Sequence, residues 1–305
     1  MQDGSRKAII AAFFANLGIA IAKFTGFLLT GSAGLLAESG HSIADTGNQG
    51  LLLFGSRRGK RPADSAHPFG YGPERYFWSF IVALVLFSMG GLFALYEGIQ
   101  KIGNPHEIES AGIAFFILGV SVALETFSLR TAVMEANHVR HGRSWWTFIR
   151  TAKSPELPVV LLEDIGAEAG LLVAIGGLTM AQVTDDARWD AAGSIAIGLL
   201  LVVIAIILAT EMKGLLIGES ASDEDLEAIN ASLAGSEKVR GVIHLRTMHL
   251  SPDQMLVATK IEFDHDLTVA SLATVIDGVE ADLRAALPIA TMIYIEPDIR
   301  RQVPE

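Results

Sequence analysis

Cysteine is absent from the 305-residue sequence. That excludes a disulfide framework, a thiolate zinc knuckle and a cysteine nucleophile, so any metal chemistry must use histidine and carboxylates. Charged residues are scarce, 19% against 50% hydrophobic, and the mean hydropathy of +0.42 is too high for an ordinary soluble protein of this length. The composition points to a membrane class. No HExxH signature occurs, nor any internal repeat or low-complexity segment. No small-residue cleavage site follows the first hydrophobic run, which therefore reads as a retained span and not a secretory signal. Basic residues are in deficit, giving a net charge of −11, and most of that deficit lies after residue 218, where sixteen Asp or Glu face seven Lys or Arg. An acidic tail argues against nucleic acid as a partner.

What is present is a series of long apolar runs. Six stretches reach the roughly 20 residues needed to cross a bilayer: about 8–30, 33–54, 76–100, 111–136, 157–181 and 189–211. Basic residues gather at Arg6 and Lys7, at Arg57, Arg58, Lys60 and Arg61, and at Arg140, Arg143, Arg150 and Lys153, that is, before the first span and in alternate loops. The positive-inside rule then puts both termini in the cytoplasm, with the cell (inner) membrane as the expected location. Trp78 and Trp189 fall at expected span ends, where an amphipathic indole is favoured. From about residue 213 the pattern changes. "SDEDLEAINASL" predicts a helix capped by Ser222, "VRGVIHLRTMHL" and "MLVATKIEFD" two strands joined at "SPDQ", "LTVASLATVIDGVEADLRAAL" a helix and "TMIYIEP" a strand. The expected architecture is an α-helical membrane protein: a six-helix transmembrane domain over 1–212, then a small α+β (αββαβ, ferredoxin-like) cytoplasmic domain over 213–305. At about 90 residues that second domain is near the lower size for a stable core, and dimerisation would help it.

Polar residues inside the spans are the candidate functional ones. Glu38, His41, Asp45 and Gln49 follow i, i+3, i+7, i+11 and so share one face of the second span. His41 and Asp45 stand one turn apart, a spacing at which an imidazole and a carboxylate can hold one ion. The fifth span carries Glu163, Asp164 and Glu168, with Asp164 and Glu168 again four apart. His41, Asp45, Asp164 and Glu168 together make a four-ligand set for a hard or borderline divalent cation. A charge at the bilayer centre costs at least about 2.5 kcal/mol. Several acids without an equal number of buried bases therefore need a counter-charge, which a bound cation, or protons after it leaves, would supply. Lys23 and Glu125, taken singly, can equally be structural, forming interhelical hydrogen bonds.

Six spans, "HSIAD" in the second, "HPFGYGPERYFW" leading into the third, an acidic fifth span and an αββαβ tail together resemble the cation diffusion facilitator family over essentially the whole chain. The resemblance implies a proton-coupled exporter of zinc or related divalent metals, a homodimer working by alternating access, with His41 and Asp45 as the metal pair of the second helix. It also marks departures. Many members carry a His or Asp four residues before the aspartate matched by Asp164, where this chain has Val160. Glu168 or Glu163 would have to substitute, which makes the site harder; zinc is favoured through His41, with manganese, iron and cobalt open. Asp64 and His67 match two positions of a secondary metal site found in some members, but the next position is Tyr71; the competing reading is a structured turn. In the tail, Lys260, Tyr294 and Glu296 stand at or near places where relatives bind zinc through histidines, which implies that site is lost. His244, His249 and His265 read as strand or surface residues.

The expected activity is thus proton-coupled antiport of a divalent cation, with metal and protons as the exchanged partners in a lipid bilayer, no separate cofactor and no enzymatic step. Protonation of His41 and an acid would release the metal, because ligands bind deprotonated, and an imidazole, with an intrinsic pKa of about 6.5, suits exchange near neutrality. Two other classes stay open: a non-transporting metal sensor or scaffold, and more remotely an intramembrane metallohydrolase, which the missing HExxH disfavours.

Overall fold

The computed structural model describes residues 3–30, 33–103 and 111–301, without the side chains of residues 3, 4, 30, 33–38, 40, 41 and 111. Two compact units emerge, one of residues 1–60 and 74–213, the other of residues 61–73 and 214–305.

The first unit is helical. Helices α1 (Asp3–Thr30) and α2 (Ala33–Arg58) are followed by α3 (Glu74–Val85), which runs through a π-helical segment, Leu86–Leu92, into α4 (Phe93–Gly103). Then come α5 (Ala111–Val139), the short α6 (Trp145–Thr151), α7 (Glu156–Thr184) and α8 (Arg188–Ile217). The six expected spans correspond to α1, α2, the continuous Glu74–Gly103 helix, α5, α7 and α8. Among the described residues four helices are long and apolar enough to cross a membrane: Ser5–Leu29, Glu74–Gly103, Gly112–Val139 and Arg188–Ile217. The other two, α2 with 26 residues and α7 with 29, have the length and are the pair that carries the clustered ionisable residues. Helix α6 was not anticipated; Ser144 caps it, its Oγ accepting the Thr147 N–H at 3.1 Å.

Small residues bring the helices together. A Cβ on Gly98 would stand 2.6 Å from Cγ1 of Ile195, and one on Gly198 would stand 2.8 Å from the Leu95 nitrogen. Glycine at both positions lets α4 and α8 approach at backbone distance, as small residues do between membrane helices.

One end of the bundle is pinned by the residues that open α3. Glu74 accepts from Nε and Nη2 of Arg58 at 3.2 and 3.0 Å and from the Trp78 indole at 2.8 Å, which fixes the last turn of α2 to the first of α3. Arg75 grips Glu156 bidentately, Nε to Oε1 at 2.6 Å and Nη2 to Oε2 at 3.1 Å, with both side chains at most 3% exposed. Tyr76 donates to the Lys153 carbonyl at 3.3 Å. A planar guanidinium fork matched to a carboxylate gives both energy and fixed geometry, so the entry of α7 is held against α3.

The second unit runs α9 (Asp223–Ala234), β1 (Val239–Ser251), β2 (Gln254–Phe263), α10 (Val269–Ala286), β3 (Ala290–Pro297), the expected αββαβ order. Ser222 caps α9 through the Asp225 N–H. The sheet order is β1-β2-β3, antiparallel between β1 and β2 and parallel between β2 and β3. Strict alternation along β2 buries Met255, Val257, Ile261 and Phe263 against Ile229 and Leu233 of α9 and Val279 and Leu283 of α10, the period-2 pattern of a one-sided sheet. The segment 61–73 belongs to this unit, and a Cβ on Gly72 would lie 2.6 Å from the Leu250 carbonyl oxygen.

Candidate functional site

The helical unit holds a partly open cavity of about 220 Å³ between α1, α2, the α3–α4 helix, α5, α7 and α8. Polar lining comes from Asp45 of α2, Glu125 of α5, Glu163 of α7 and Lys23 of α1, and, where α4 ends and α8 begins, from Lys101 and Asp190. The cavity therefore reaches from the middle of α2 and α7 to the helix ends at α4 and α8. There Lys101 Nζ lies 3.1 Å from both Glu97 Oε1 and Asp190 Oδ2. The π-helical segment contributes Leu86 and Gly90 to the wall; such insertions into an α-helix recur at functional sites.

Helix α7 presents its acids to two different neighbours. Glu163 points to α2, where Nδ2 of Asn48 donates to Oε1 at 3.0 Å and Nε2 of Gln49 to Oε2 at 2.6 Å. Asp164 points to α5, accepting from Ser128 Oγ at 2.7 Å. Glu168, one turn further on, accepts from Thr126 Oγ1 at 3.1 Å. Successive residues on a helix are about 100° apart while i and i+4 share a face, so Glu163 cannot look the same way as the Asp164–Glu168 pair. Among the described residues, Oδ1 of Asp164, Oε2 of Glu168 and the side-chain oxygens of Asn48 and Gln49 have no hydrogen-bond partner.

The site expected from the sequence is thus only partly assembled. Asp45 and Glu163 share the cavity, whereas Asp164 and Glu168 turn toward α5. Glu38 and His41 lie on α2 but their side chains fall outside the described residues. Among the described residues no three His, Asp or Glu side chains converge closely enough to hold an ion. Val160, in the place where relatives were expected to carry a ligand, is fully buried. Asn48, Ser128, Glu97, Lys101 and Asp190 were not singled out from the sequence; the Asn48–Gln49 doublet in an apolar run was the visible signal for the first of these.

Outside the helical unit the other candidates have structural partners. In segment 61–73 the Asp64 carboxylate accepts the N–H groups of Ala66 and His67 at 3.0 and 2.8 Å and the Tyr71 hydroxyl at 2.7 Å. Tyr71 and the His67 amide hold this carboxyl below the ordinary carboxylate range. The His67 ring lies beside Tyr71, with centroids 4.2 Å apart, and its Nδ1 is 3.7 Å from Asp64; the arrangement is that of an Asx-organised turn. In the sheet, Lys260 reaches Glu296 at 2.8 Å and Asp298 at 3.5 Å. His249 is buried in β1, His244 is exposed, and Nε2 of His265 lies 3.3 Å from Glu262.

Known proteins match this architecture. The family model for the cation efflux transmembrane domain matches residues 9–217, a stretch that includes α2 and α7 with the four apolar helices, and the model for the cation efflux cytoplasmic domain matches residues 221–298. The human proton-coupled zinc antiporter SLC30A9, mitochondrial, is 29% identical over 263 residues, 86% of this chain and 46% of that protein. Metal tolerance protein C4 of Arabidopsis thaliana is 28% identical over 267 residues, 87% of this chain and 58% of its own. The chain spans about half the length of these two relatives. Magnetosome protein MamB of Magnetospira sp. (strain QH-2) is 28% identical over 287 residues, 93% of this chain and 92% of that protein. Among solved structures, MamM-CTD 215-293 is similar at 20% identity and a TM-score of 0.24, covering 26% of this chain and 98% of that one. With more than half of its length matched by the transmembrane model and most of the remainder by the cytoplasmic one, the chain is a multi-pass membrane protein that belongs to the cation diffusion facilitator, or cation efflux, family.

Proposed function

We propose that the chain exports divalent metal cations, zinc above others, in exchange for protons. The observation that carries this reading is the cavity inside the helical unit, whose wall is lined by Asp45, Glu125 and Glu163 and by Lys23. Acids outnumber bases there, so a divalent cation supplies missing charge. The family is one of transporters and not of enzymes, and the human relative's name pairs zinc with proton coupling.

The proposed ligands are His41 and Asp45 of α2 with carboxylates of α7. Glu163 already shares the cavity with Asp45; Asp164 and Glu168, now bonded to Ser128 and Thr126, join when α7 shifts against α2 and α5 during alternating access. Protons compete for the same oxygens and the imidazole, since ligands bind metal deprotonated. The basic clusters beside α1, α2 and α6 orient both termini to the cytoplasm, in the cell membrane, and the αββαβ domain after residue 213 joins two copies into a homodimer.

The test is Zn²⁺ uptake into inside-out proteoliposomes under an imposed pH gradient, for the native chain and Asp45→Ala. Gradient-dependent uptake that falls at least about 100-fold in Asp45→Ala supports the exchanger, because loss of a direct ligand exceeds the 10–100-fold typical of outer-shell changes. A native chain that binds Zn²⁺ but moves none across the bilayer is a sensor or scaffold instead, a reading to which Val160 lends weight.

A further inference from the structure

Glu125 lies near the middle of α5, is 1% exposed and lines the cavity shared by Asp45 and Glu163. Other buried carboxylates of the helical unit have donors. Glu156 has Arg75 and Ser154, Glu163 has Asn48 and Gln49, and Asp164 has Ser128. Glu125 has no hydrogen-bond donor among the described residues. A buried polar group left without a partner costs about 1–3 kcal/mol and more when charged, and one in a native interior calls for an explanation.

Its surroundings supply one. Ser121, Glu125 and Ser128 follow i, i+4, i+7 on α5 and are all at most 1% exposed, so they form a polar stripe on the face packed inward. Ser128 already engages Asp164 on α7, and the Ser121 hydroxyl has no partner among the described residues. Asp45 and Glu163 line the same cavity as Glu125, and Ser128 on its face holds Asp164, three of the acids on which the proposed transport reading rests. Carboxylates lining one cavity repel one another unless a cation or protons offset them.

We infer that Glu125 is a ligand of the transported cation, so that the cation is held by three helices, α2, α5 and α7, and not by α2 and α7 alone. The inference rests on the export reading above and adds a carboxylate to it. It accounts for the orphaned acid and for the loss of a ligand at Val160, since α5 provides on its own face what α7 does not provide at that position. It also fits the turn of Asp164 toward α5, since its partner Ser128 shares the face that carries Glu125.

Full-length native protein, Glu125→Gln, Glu125→Asp and Asp45→Ala are compared by initial rates of Zn²⁺ uptake in proteoliposomes and by the Zn²⁺-dependent rise in melting temperature in detergent. Glu125→Gln keeps the side chain's size, and Glu125→Asp keeps its charge in case the amide variant is poorly expressed. The expected result is an apparent KM for Zn²⁺ raised about tenfold or more in Glu125→Gln with a smaller change in maximal rate, partial recovery in Glu125→Asp, and a blunted Zn²⁺-dependent rise in melting temperature while the metal-free value is kept. If native protein transports, Asp45→Ala does not, and Glu125→Gln keeps the native KM and the native Zn²⁺ response, the inference is overturned and the two-helix site stands. A Glu125→Gln protein whose only defect is a lowered metal-free melting temperature also overturns it, by making Glu125 structural. No transport by the native chain overturns the export reading, and this inference with it.

Discussion

Glu156 and Glu163 lie on the same helix, two turns apart, and both are almost completely buried, yet they are held in opposite ways. Glu156 faces a guanidinium that matches it in charge and in geometry. Glu163 accepts from two neutral amides, which bring no formal charge of their own. The first arrangement is complete as it stands and fastens α7 to α3. The second brings no formal counter-charge, and its carboxylate opens onto the cavity, where a cation or a proton would supply one. The number of buried acids on a membrane helix therefore says little about function; the nature of each partner separates anchor from site.

The same substitution at both positions breaks the comparison apart. Glu156→Gln strands Arg75 in the interior, and losing one partner of a buried pair costs about 3–5 kcal/mol. The expected outcome is a large fall in melting temperature, with the Zn²⁺ affinity of whatever protein stays folded near the native one. A melting temperature within error of native would show that the pair contributes no anchoring. Replacing both partners, as Arg75→Met with Glu156→Leu, should restore most of the stability, because a well-packed apolar pair can equal a buried ion pair.

Glu163→Gln sharpens the contrast from the other side. It removes a carboxylate whose described hydrogen-bond donors are both neutral amides and keeps the volume, so the melting temperature should hold or rise slightly, while apparent Zn²⁺ affinity drops about tenfold or more, a difference of about 1.4 kcal/mol or above in binding free energy. Asp164→Asn and Glu168→Gln, measured beside it, rank the three acids of α7. If Glu163→Gln destabilises the protein and leaves affinity intact, Glu163 is a second anchor and the comparison collapses.

Much of this could be read from the chain. Polar residues at i, i+3, i+7 in an apolar run marked α2, and the alternation after residue 239 marked the sheet, because both are short-range periodicities. Facing was harder. The rotation of α7 about its axis decides whether Glu163 or Asp164 meets α2, and a helix apolar on nearly every side carries no stripe from which to read it. Glu125 was hidden for a related reason: one acid in a span looks the same whether it is a bond or a ligand until its neighbours are known. The Arg75–Glu156 pair joins residues 81 apart, a separation no periodicity encodes. Asp64 and His67 showed the reverse, since residues that suggested a metal site form a turn whose partners all lie within seven positions.

That turn yields the smallest effect. The Tyr71 hydroxyl, then the His67 amide, hold the Asp64 carboxyl below its ordinary range. A carboxylate with a depressed value in the folded state contributes stability above the value it has in the unfolded chain, and that contribution is lost as pH falls through the depressed value. Protection of the Ala66 and His67 amides against hydrogen exchange should therefore stay constant from neutral pH down to the ordinary carboxylate range and decline only below it. The side chain is 44% exposed, so solvent screens the interaction and the global melting temperature should not register it. Asp64→Asn should lower the protection of both amides at neutral pH and remove the acid step, with Zn²⁺ uptake unchanged. Loss of uptake in Asp64→Asn at constant amide protection would return Asp64 to the metal pathway and set it beside Glu163 as an acid whose partners leave it open to a cation.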